Sequence, residues 1–197
     1  MFNRMELEDL VNSHGGIIST SDAEKAGLSR TAISILARNG LLIRLARGQY
    51  ALPGDLTDEL FLWQKRMKSL VYSHETALFL HGIAERTPSI HSITLPDKMR
   101  LSASFPCRLK VYTIQSEQFE IGLVQMPTKM GHEVRSYDLE RTICDVIRSR
   151  NRIDDQTFFA ALKNYAERSD KNLNRLGNYA MQFKVANPLR RYLEILL

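Results

Sequence analysis

The stretch "LSRTAISILARNGLLIRLARGQYAL", Leu28 to Leu52, decides the fold of the N-terminal part. Ser29 can cap a helix from Arg30 to Arg38, because its hydroxyl can accept a hydrogen bond from an otherwise unpaired amide of the first turn. Within that helix Ala32, Ile33, Leu36 and Ala37 share one face, and Arg30, Thr31, Ser34 and Arg38 lie around the other. Leu36 is expected in the core. Gly40 ends the helix. Two short strands follow, "LLIRL" and "QYAL", with Arg47-Gly48 in the turn between them. A recognition helix needs one apolar face to pack and one polar face to reach base edges. The hairpin beside it is then a wing, whose tip Arg47 can reach a phosphate or the minor groove.

Upstream, "NRMELEDLVNSHGG" carries Met5, Leu7, Leu10 and Val11 and ends in Gly15-Gly16, a short helix with a glycine stop. "IIS" suits a single bridge strand. "TSDAEKAGL" offers Thr20 or Ser21 as a cap and places acids in the first turn, where the helix dipole favours them. It stops at Gly27, and Gly27-Leu28 supplies the turn before the next helix. Three helices and a hairpin predict a winged helix-turn-helix domain over residues 1–54. Its expected DNA contacts are Ser29, Arg30, Thr31, Ser34 and Arg38 from the helix and Arg44, Arg47 and Gln49 from the wing. Arg30 and Ser34 are assigned to bases, Arg47 to phosphate or minor groove. The competing reading is a small structural unit with solvated arginines. The complete order of elements favours DNA.

The charge distribution qualifies this. The 197-residue chain has a net charge of +5, yet up to Asp55 six acids balance six bases. The acids cluster in the first two helices and can face away from DNA. The surplus lies beyond, mostly after Arg141, and favours an acidic partner, whether nucleic acid or protein. Apolar residues make up 44%, enough for a packed core. Cys107 and Cys144 form no motif and read as buried free thiols. The start "MFNRMELEDL" lacks a signal-peptide core, and no run approaches the ~18–20 apolar residues of a membrane span. A soluble, reducing, cytoplasmic protein is expected.

Pro53-Gly54 marks the boundary of a second domain, residues 55–197, with Asp55 or Thr57 opening its first helix. Leu60, Phe61, Met67, Leu70 and Trp63 are expected to pack across the join. "YSHETALFLHGI" reads as a helix capped by Ser73. "HSITLPD", "RLKVYTI" and "IGLVQMP" read as strands of a small antiparallel sheet. "SYDLERTICDVIRSR" is a helix capped by Asp138, with Leu139, Ile143, Val146 and Ile147 on its core face. Arg141, Asp145 and Arg148 lie opposite at ion-pair spacings. Helices at Asp155–Glu167, Lys171–Lys184 and after Pro188 complete an α+β fold.

Catalytic chemistry is sparse. His74 and His81 are seven residues apart, about 10.5 Å along a helix axis, too far to share one zinc; a helix cap and a packed histidine are the expectation. No phosphate loop or nucleophile elbow appears, Asp154-Asp155 suits a helix start, and neither an enzyme nor a cofactor is expected. In "KNLNRLGNYAMQFK", Leu173, Leu176, Ala180 and Phe183 make a buried stripe. Lys171, Asn174, Arg175, Asn178 and Gln182 make a polar one, either solvated or docking an acidic protein or RNA.

Four blocks now align with a known family: "GGIISTSDAEKAGLSRTAISILARNGLLIRLARGQYAL", "YSHETALFLHGI", "HSITLPD" and "VRSYDLERTICDVIRSRNRID". In this order the chain resembles the AbiEi-type antitoxins of bacterial abortive-infection, phage-defence toxin–antitoxin systems of type IV. The resemblance implies an N-terminal winged helix that represses its own operon by binding inverted repeats in the promoter. It implies a C-terminal domain that counters a cognate nucleotidyltransferase-type toxin, by direct contact or otherwise. The family's DNA-contacting elements map to Ser29–Arg38 and the Arg44–Gln49 wing; no catalytic residue is carried over. The alternatives are a plain winged-helix regulator with a ligand-sensing or dimerising C-terminal domain, and an enzyme with a DNA-binding appendage.

Overall fold

The computed structural model describes residues 3–84, 86–102, 105 and 108–196 and divides the chain into two compact units. The first holds the N-terminal helices, runs to Lys68 and includes Thr128–His132. Its elements are α1 (Arg4–Ser13), β1 (Ile18–Ser19), α2 (Thr20–Lys25), α3 (Arg30–Arg38), β2 (Ile43–Ala46), β3 (Gln49–Ala51) and α4 (Glu59–Arg66). The strands form an antiparallel sheet in the order β1-β3-β2. Three helices and this small sheet make the expected winged helix.

Local chemistry explains the helix ends. Asn3 and Glu6 form a reciprocal capping box, each side chain accepting the other's amide at 2.8 Å. Ser29 caps α3 as expected, accepting from the Ala32 amide at 3.1 Å. The cap of α2 is Ser19, not Thr20 or Ser21. Its hydroxyl accepts from the Asp22 amide at 3.1 Å and donates to the Asp22 carboxylate at 2.6 Å. Thr20 is already the first residue of the helix, and its amide (2.9 Å) and hydroxyl (3.5 Å) both donate to the Gly48 carbonyl, tying α2 to the wing turn.

Leu7, Val11, Ile18, Ala23, Leu28, Ile33 and Leu42 form the core of this unit. The apolar face of α3 packs on it as its periodicity requires. Ile33 takes the deepest place, while Ala32, Leu36 and Ala37 are half-buried at its edge. Leu36 is thus a flank of the core rather than its centre.

The first unit extends past the boundary expected at residue 54. α4 begins at Glu59, capped by Asp58 rather than Asp55 or Thr57, and Lys65 Nζ donates to the carbonyls of His14 (2.9 Å) and Ile17 (2.6 Å). Asp58 also accepts from the Thr128 hydroxyl and lies 2.8 Å from His132 Nδ1, and the His132 ring stacks on Phe61 with centroids 4.3 Å apart. These partners are some seventy positions apart, so local pattern could not reveal them.

The second unit contains β4 (Val71–Tyr72), α5 (His74–Leu80), β5 (His91–Pro96), β6 (Leu109–Ile114), α6 (Ser116–Phe119), β7 (Leu123–Pro127) and β8 (Glu133–Tyr137). α7 (Leu139–Arg148), a 3-10 turn (Arg150–Arg152), α8 (Asp155–Glu167), α9 (Leu173–Gln182) and α10 (Ala186–Leu196) follow. Its five strands run in the order β6-β5-β4-β8-β7. The sheet is mixed, not antiparallel: β5–β6 and β4–β8 are parallel, β4–β5 and β7–β8 antiparallel. Apolar alternation reports which face is buried, not strand direction. Direction follows the connections, and the chain between β5 and β6 is too long to be a tight hairpin turn.

α7 is the axis of this unit, buried from Leu139 to Ile147. Asp138 caps it as expected, accepting from the Arg141 amide at 2.8 Å. The expected ion pairs form, but Arg141 and Asp145 are fully buried rather than solvated, 2.9 Å apart, with Arg148 on the second Asp145 oxygen at 2.9 Å. Arg141 also donates to the carbonyls of Gln118 (3.2 Å) and Ile121 (2.6 Å), and its guanidinium lies between the rings of Tyr137 and Phe183, 4.1 Å from each. Cys144 is a buried free thiol; Cys107 lies outside the described residues.

Ser73 precedes α5 but makes no cap hydrogen bond. Its hydroxyl instead accepts from Thr94 and is bonded to His74 Nδ1, each at 2.9 Å. His74 is fully buried, with Nε2 3.0 Å from the Ser149 hydroxyl and its ring stacked on Tyr112. Its φ of +48° is an uncommon conformation for a residue with a Cβ, held by these surroundings. His81 Nε2 donates to the Tyr137 carbonyl at 2.8 Å.

Burial holds the His74 imidazole well below its usual range, and the cations Arg148, Arg152, Lys110 and Arg141 add to this. Burial lowers His81 too. The unfolded chain therefore binds these protons more readily than the folded one. The stability is present above the ordinary histidine value of 6.5 and is lost as pH falls below it. The melting temperature of the second unit should drop between about pH 7.5 and about pH 5.5, and a His74→Gln variant should show a flatter profile. Calorimetry at the two pH values checks this; equal slopes would remove His74 as the cause.

Candidate nucleic-acid interface

α3 and the β2–β3 hairpin place most of the expected DNA-contacting side chains on the surface of the first unit. Ser29, Arg30, Thr31, Ser34 and Arg38 of α3 are exposed, as are Arg44 and Arg47 of the hairpin. Gly48, at φ +74°, completes a two-residue turn with Arg47, a conformation that costs glycine little. The register shifts between Arg44 and Ala46, a bulge that bends the wing.

The details differ from residue to residue. Ser29 is committed to its cap, and the Ser34 hydroxyl donates to the Arg30 carbonyl at 3.0 Å. Arg44 Nε donates to the Ala46 carbonyl at 3.4 Å, a long local contact. Gln49 is corrected: it is 6% exposed. On β3 it shares a face with buried Ala51, opposite Tyr50, so alternation along the strand turns Gln49 inward and its side chain is not presented to DNA.

Two neighbours of the interface were not visible in local pattern. Arg66 of α4 donates to the Arg47 carbonyl at 2.8 Å and braces the wing tip. Glu24 of α2 holds Arg30, with Nε 2.7 Å from the carboxylate. The Glu24–Arg30 pair crosses the turn of the motif, so no single-helix spacing announces it. Arg30 must leave Glu24 to reach a base, and Glu24 repels phosphate. Glu24→Gln is therefore expected to tighten DNA binding about two- to fivefold and to steepen its salt dependence. Fluorescence anisotropy on a promoter fragment checks this; weaker binding would mean that the pair pre-positions Arg30.

In the second unit the expected polar stripe of α9 is partly realised. Asn174, Arg175, Asn178 and Gln182 are exposed. Arg175 lies 3.8 Å from both Asp138 and Glu140. Lys171 precedes the helix, which starts at Leu173, and its ammonium donates to the Arg168 carbonyl at 2.8 Å. Leu176, Ala180 and Phe183 are buried as expected, but Leu173 is 47% exposed. α10 starts at Ala186, with Pro188 inside its first turn, where a missing amide is tolerated.

Among the described residues no cluster of three His, Cys, Asp or Glu side chains is arranged to hold a metal, and no helix is long and apolar enough to cross a membrane. A cavity of about 440 Å³ in the second unit is lined by both apolar and charged groups, among them Glu75, Arg86, Lys110 and Asp154.

Residues 5–53 match the model of a family described as "Transcriptional regulator, AbiEi antitoxin". The match covers α1 to β3, the whole winged helix. Among solved structures, the RV2827C protein from Mycobacterium tuberculosis is similar with a TM-score of 0.66 at 18% identity, over 95% of this chain and 78% of that one. At that identity the likeness concerns the fold, which extends through both units. No curated protein matches the chain.

Proposed function

From an N-terminal segment of the AbiEi antitoxin, transcriptional-regulator type, we propose that the chain is an autorepressor and antitoxin of an abortive-infection, phage-defence system. The first unit binds inverted repeats in its own promoter, with α3 in the major groove and the wing on the backbone or in the minor groove. The second unit, 69–127 with 133–197, counters a cognate nucleotidyltransferase-type toxin. The protein acts in the cytoplasm and catalyses no reaction of its own. The observation that carries this reading is the winged helix itself: a polar-faced α3 and a two-residue arginine-tipped wing, in the segment that matches the family.

In this reading Arg30 and Ser34 face bases, Thr31 and Arg38 flank them, and Arg47 meets phosphate or the minor groove. Ser29 contributes by starting the helix, and Arg44 lies on the wing's exposed side. Lys171, Asn174, Arg175, Asn178 and Gln182 lie towards the toxin or its RNA target.

The test co-expresses the chain with the product of the adjacent gene and scores growth, while a reporter under the chain's own promoter scores repression. Rescue together with repression supports the reading. Repression without rescue favours a plain regulator, in which the 440 Å³ cavity would be a sensor site for a small polar ligand.

A further inference from the structure

Both carbonyls of the wing's two-residue turn are held from outside the hairpin. The Gly48 carbonyl accepts from the Thr20 amide at 2.9 Å and from the Thr20 hydroxyl at 3.5 Å, at the start of α2. The Arg47 carbonyl accepts from Arg66 at 2.8 Å, in the last turn of α4. β2 and β3 are only four and three residues long, and so short a hairpin is marginal without such support. The backbone from which the exposed Arg47 side chain starts is therefore set by α2 and α4.

α4 is itself fixed at both ends. Near its C-terminus Lys65 donates to the carbonyls of His14 and Ile17. At its N-terminus one oxygen of Asp58 accepts from the Phe61 amide at 3.2 Å. The other accepts from the Thr128 hydroxyl and meets His132 Nδ1 at 2.8 Å. The His132 and Phe61 rings stack within 7° of parallel. Gly15 closes over both, since a Cβ there would lie 2.9 Å from the Phe61 ring and 3.1 Å from that of His132. Asp58 is 6% exposed, so water does not make good the loss of one of its partners. Thr128–His132 belongs to the first unit, although the strands on either side of it, β7 and β8, belong to the second.

We propose that α4 positions the wing for DNA: Arg66 fixes the Arg47–Gly48 tip, and the Asp58–His132 bond fixes Arg66 from the far end of the helix. These three are positioning residues, and all lie beyond the segment 5–53 that matches the family. That the wing's ligand is promoter DNA rests on the reading above. A tip held in place before DNA arrives loses less freedom on binding, so Arg66 raises affinity without itself meeting a phosphate.

The experiment uses the full chain. Amide hydrogen exchange without DNA reads the wing directly. Arg66→Met, which keeps the length and loses the donor, should speed exchange across the β2–β3 hairpin about tenfold, with α3 unchanged. Arg66→Lys, which restores a charged donor, should return it to within about threefold of the wild type. His132→Ala should speed wing exchange about threefold, and no further in the Arg66→Met background, because it acts through Arg66. His132→Phe, which keeps a ring on Phe61, takes its place if His132→Ala loosens α3 as well. Anisotropy on the promoter fragment, over a salt series, should show about fivefold weaker binding of Arg66→Met with an unchanged salt slope. Wing exchange unaffected by Arg66→Met, or equal effects of the His132 change with and without Arg66, would overturn the proposal. A salt slope flattened by about one unit would overturn it too, by placing Arg66 on a phosphate. A wild-type chain that does not bind the fragment rejects the promoter reading alone, and the exchange rates still decide whether α4 holds the wing.

Discussion

Replacing Arg141 with alanine is expected to destabilise the second unit by about 3–5 kcal/mol. The side chain is fully buried and pairs with an equally buried Asp145 at 2.9 Å. Its loss strands that carboxylate beside Arg148 alone, leaves the carbonyls of Gln118 and Ile121 without this donor, and opens a void between Tyr137 and Phe183. An uncompensated buried charge is the largest of these penalties. Arg141→Met with Asp145→Leu should recover a good part of the loss, because no fully buried charge remains and Arg148, released from Asp145, is 28% exposed and reaches water. Urea titration of the full chain measures both. Equal destabilisation by the single and double changes would show that packing, not the ion pair, sets the effect. Gly122 reports on the same packing: a Cβ there would lie 2.8 Å from Arg141 Cβ.

Replacing Arg30, Arg38 and Arg47 together with alanine is expected to lower promoter affinity at least about 100-fold at physiological salt. All three side chains are exposed, so folding should be unaffected. The salt dependence should also flatten, by about one unit for each lost phosphate contact. The single changes separate the roles. Arg47→Ala should weaken all sequences alike, whereas Arg30→Ala should relax the preference at one operator position. Anisotropy titrations over a salt series, on operator and shuffled DNA, check this. Unchanged operator affinity in the triple variant would remove α3 and the wing as the interface.

The extent of α3, Arg30 to Arg38, was legible residue for residue. So were the caps Ser29 and Asp138. Each is a short-range matter: a hydroxyl or carboxylate a few residues from the amide it accepts, and a periodicity of apolar side chains. The same short-range logic misplaced the caps of α2 and α4 by one residue or a few: Ser19 and Asp58 take the amides, and Thr20 is already helical. It also put Gln49 on the surface. Alternation along β3 sets Gln49 and Ala51 on one face and Tyr50 on the other, but which of the two faces is covered is decided by the tertiary packing, which buries Gln49 and Ala51.

What the sequence determined by itself is the winged helix, its arginine-bearing surface and the helical character of the C-terminal part, because i to i+4 hydrogen bonds, caps and tight turns depend on neighbours in the chain. Tertiary structure alone decided three things. It carried the first unit past residue 54 to Lys68, through bonds from Lys65 to His14 and Ile17. It gave the larger sheet its parallel pairs. It also buried Arg141 and Asp145, which helical spacing had marked only as a possible surface pair. The physical reason is shared: burial and strand direction depend on which distant segments cover a residue, and an ion pair at i and i+4 has the same spacing in water as in a core.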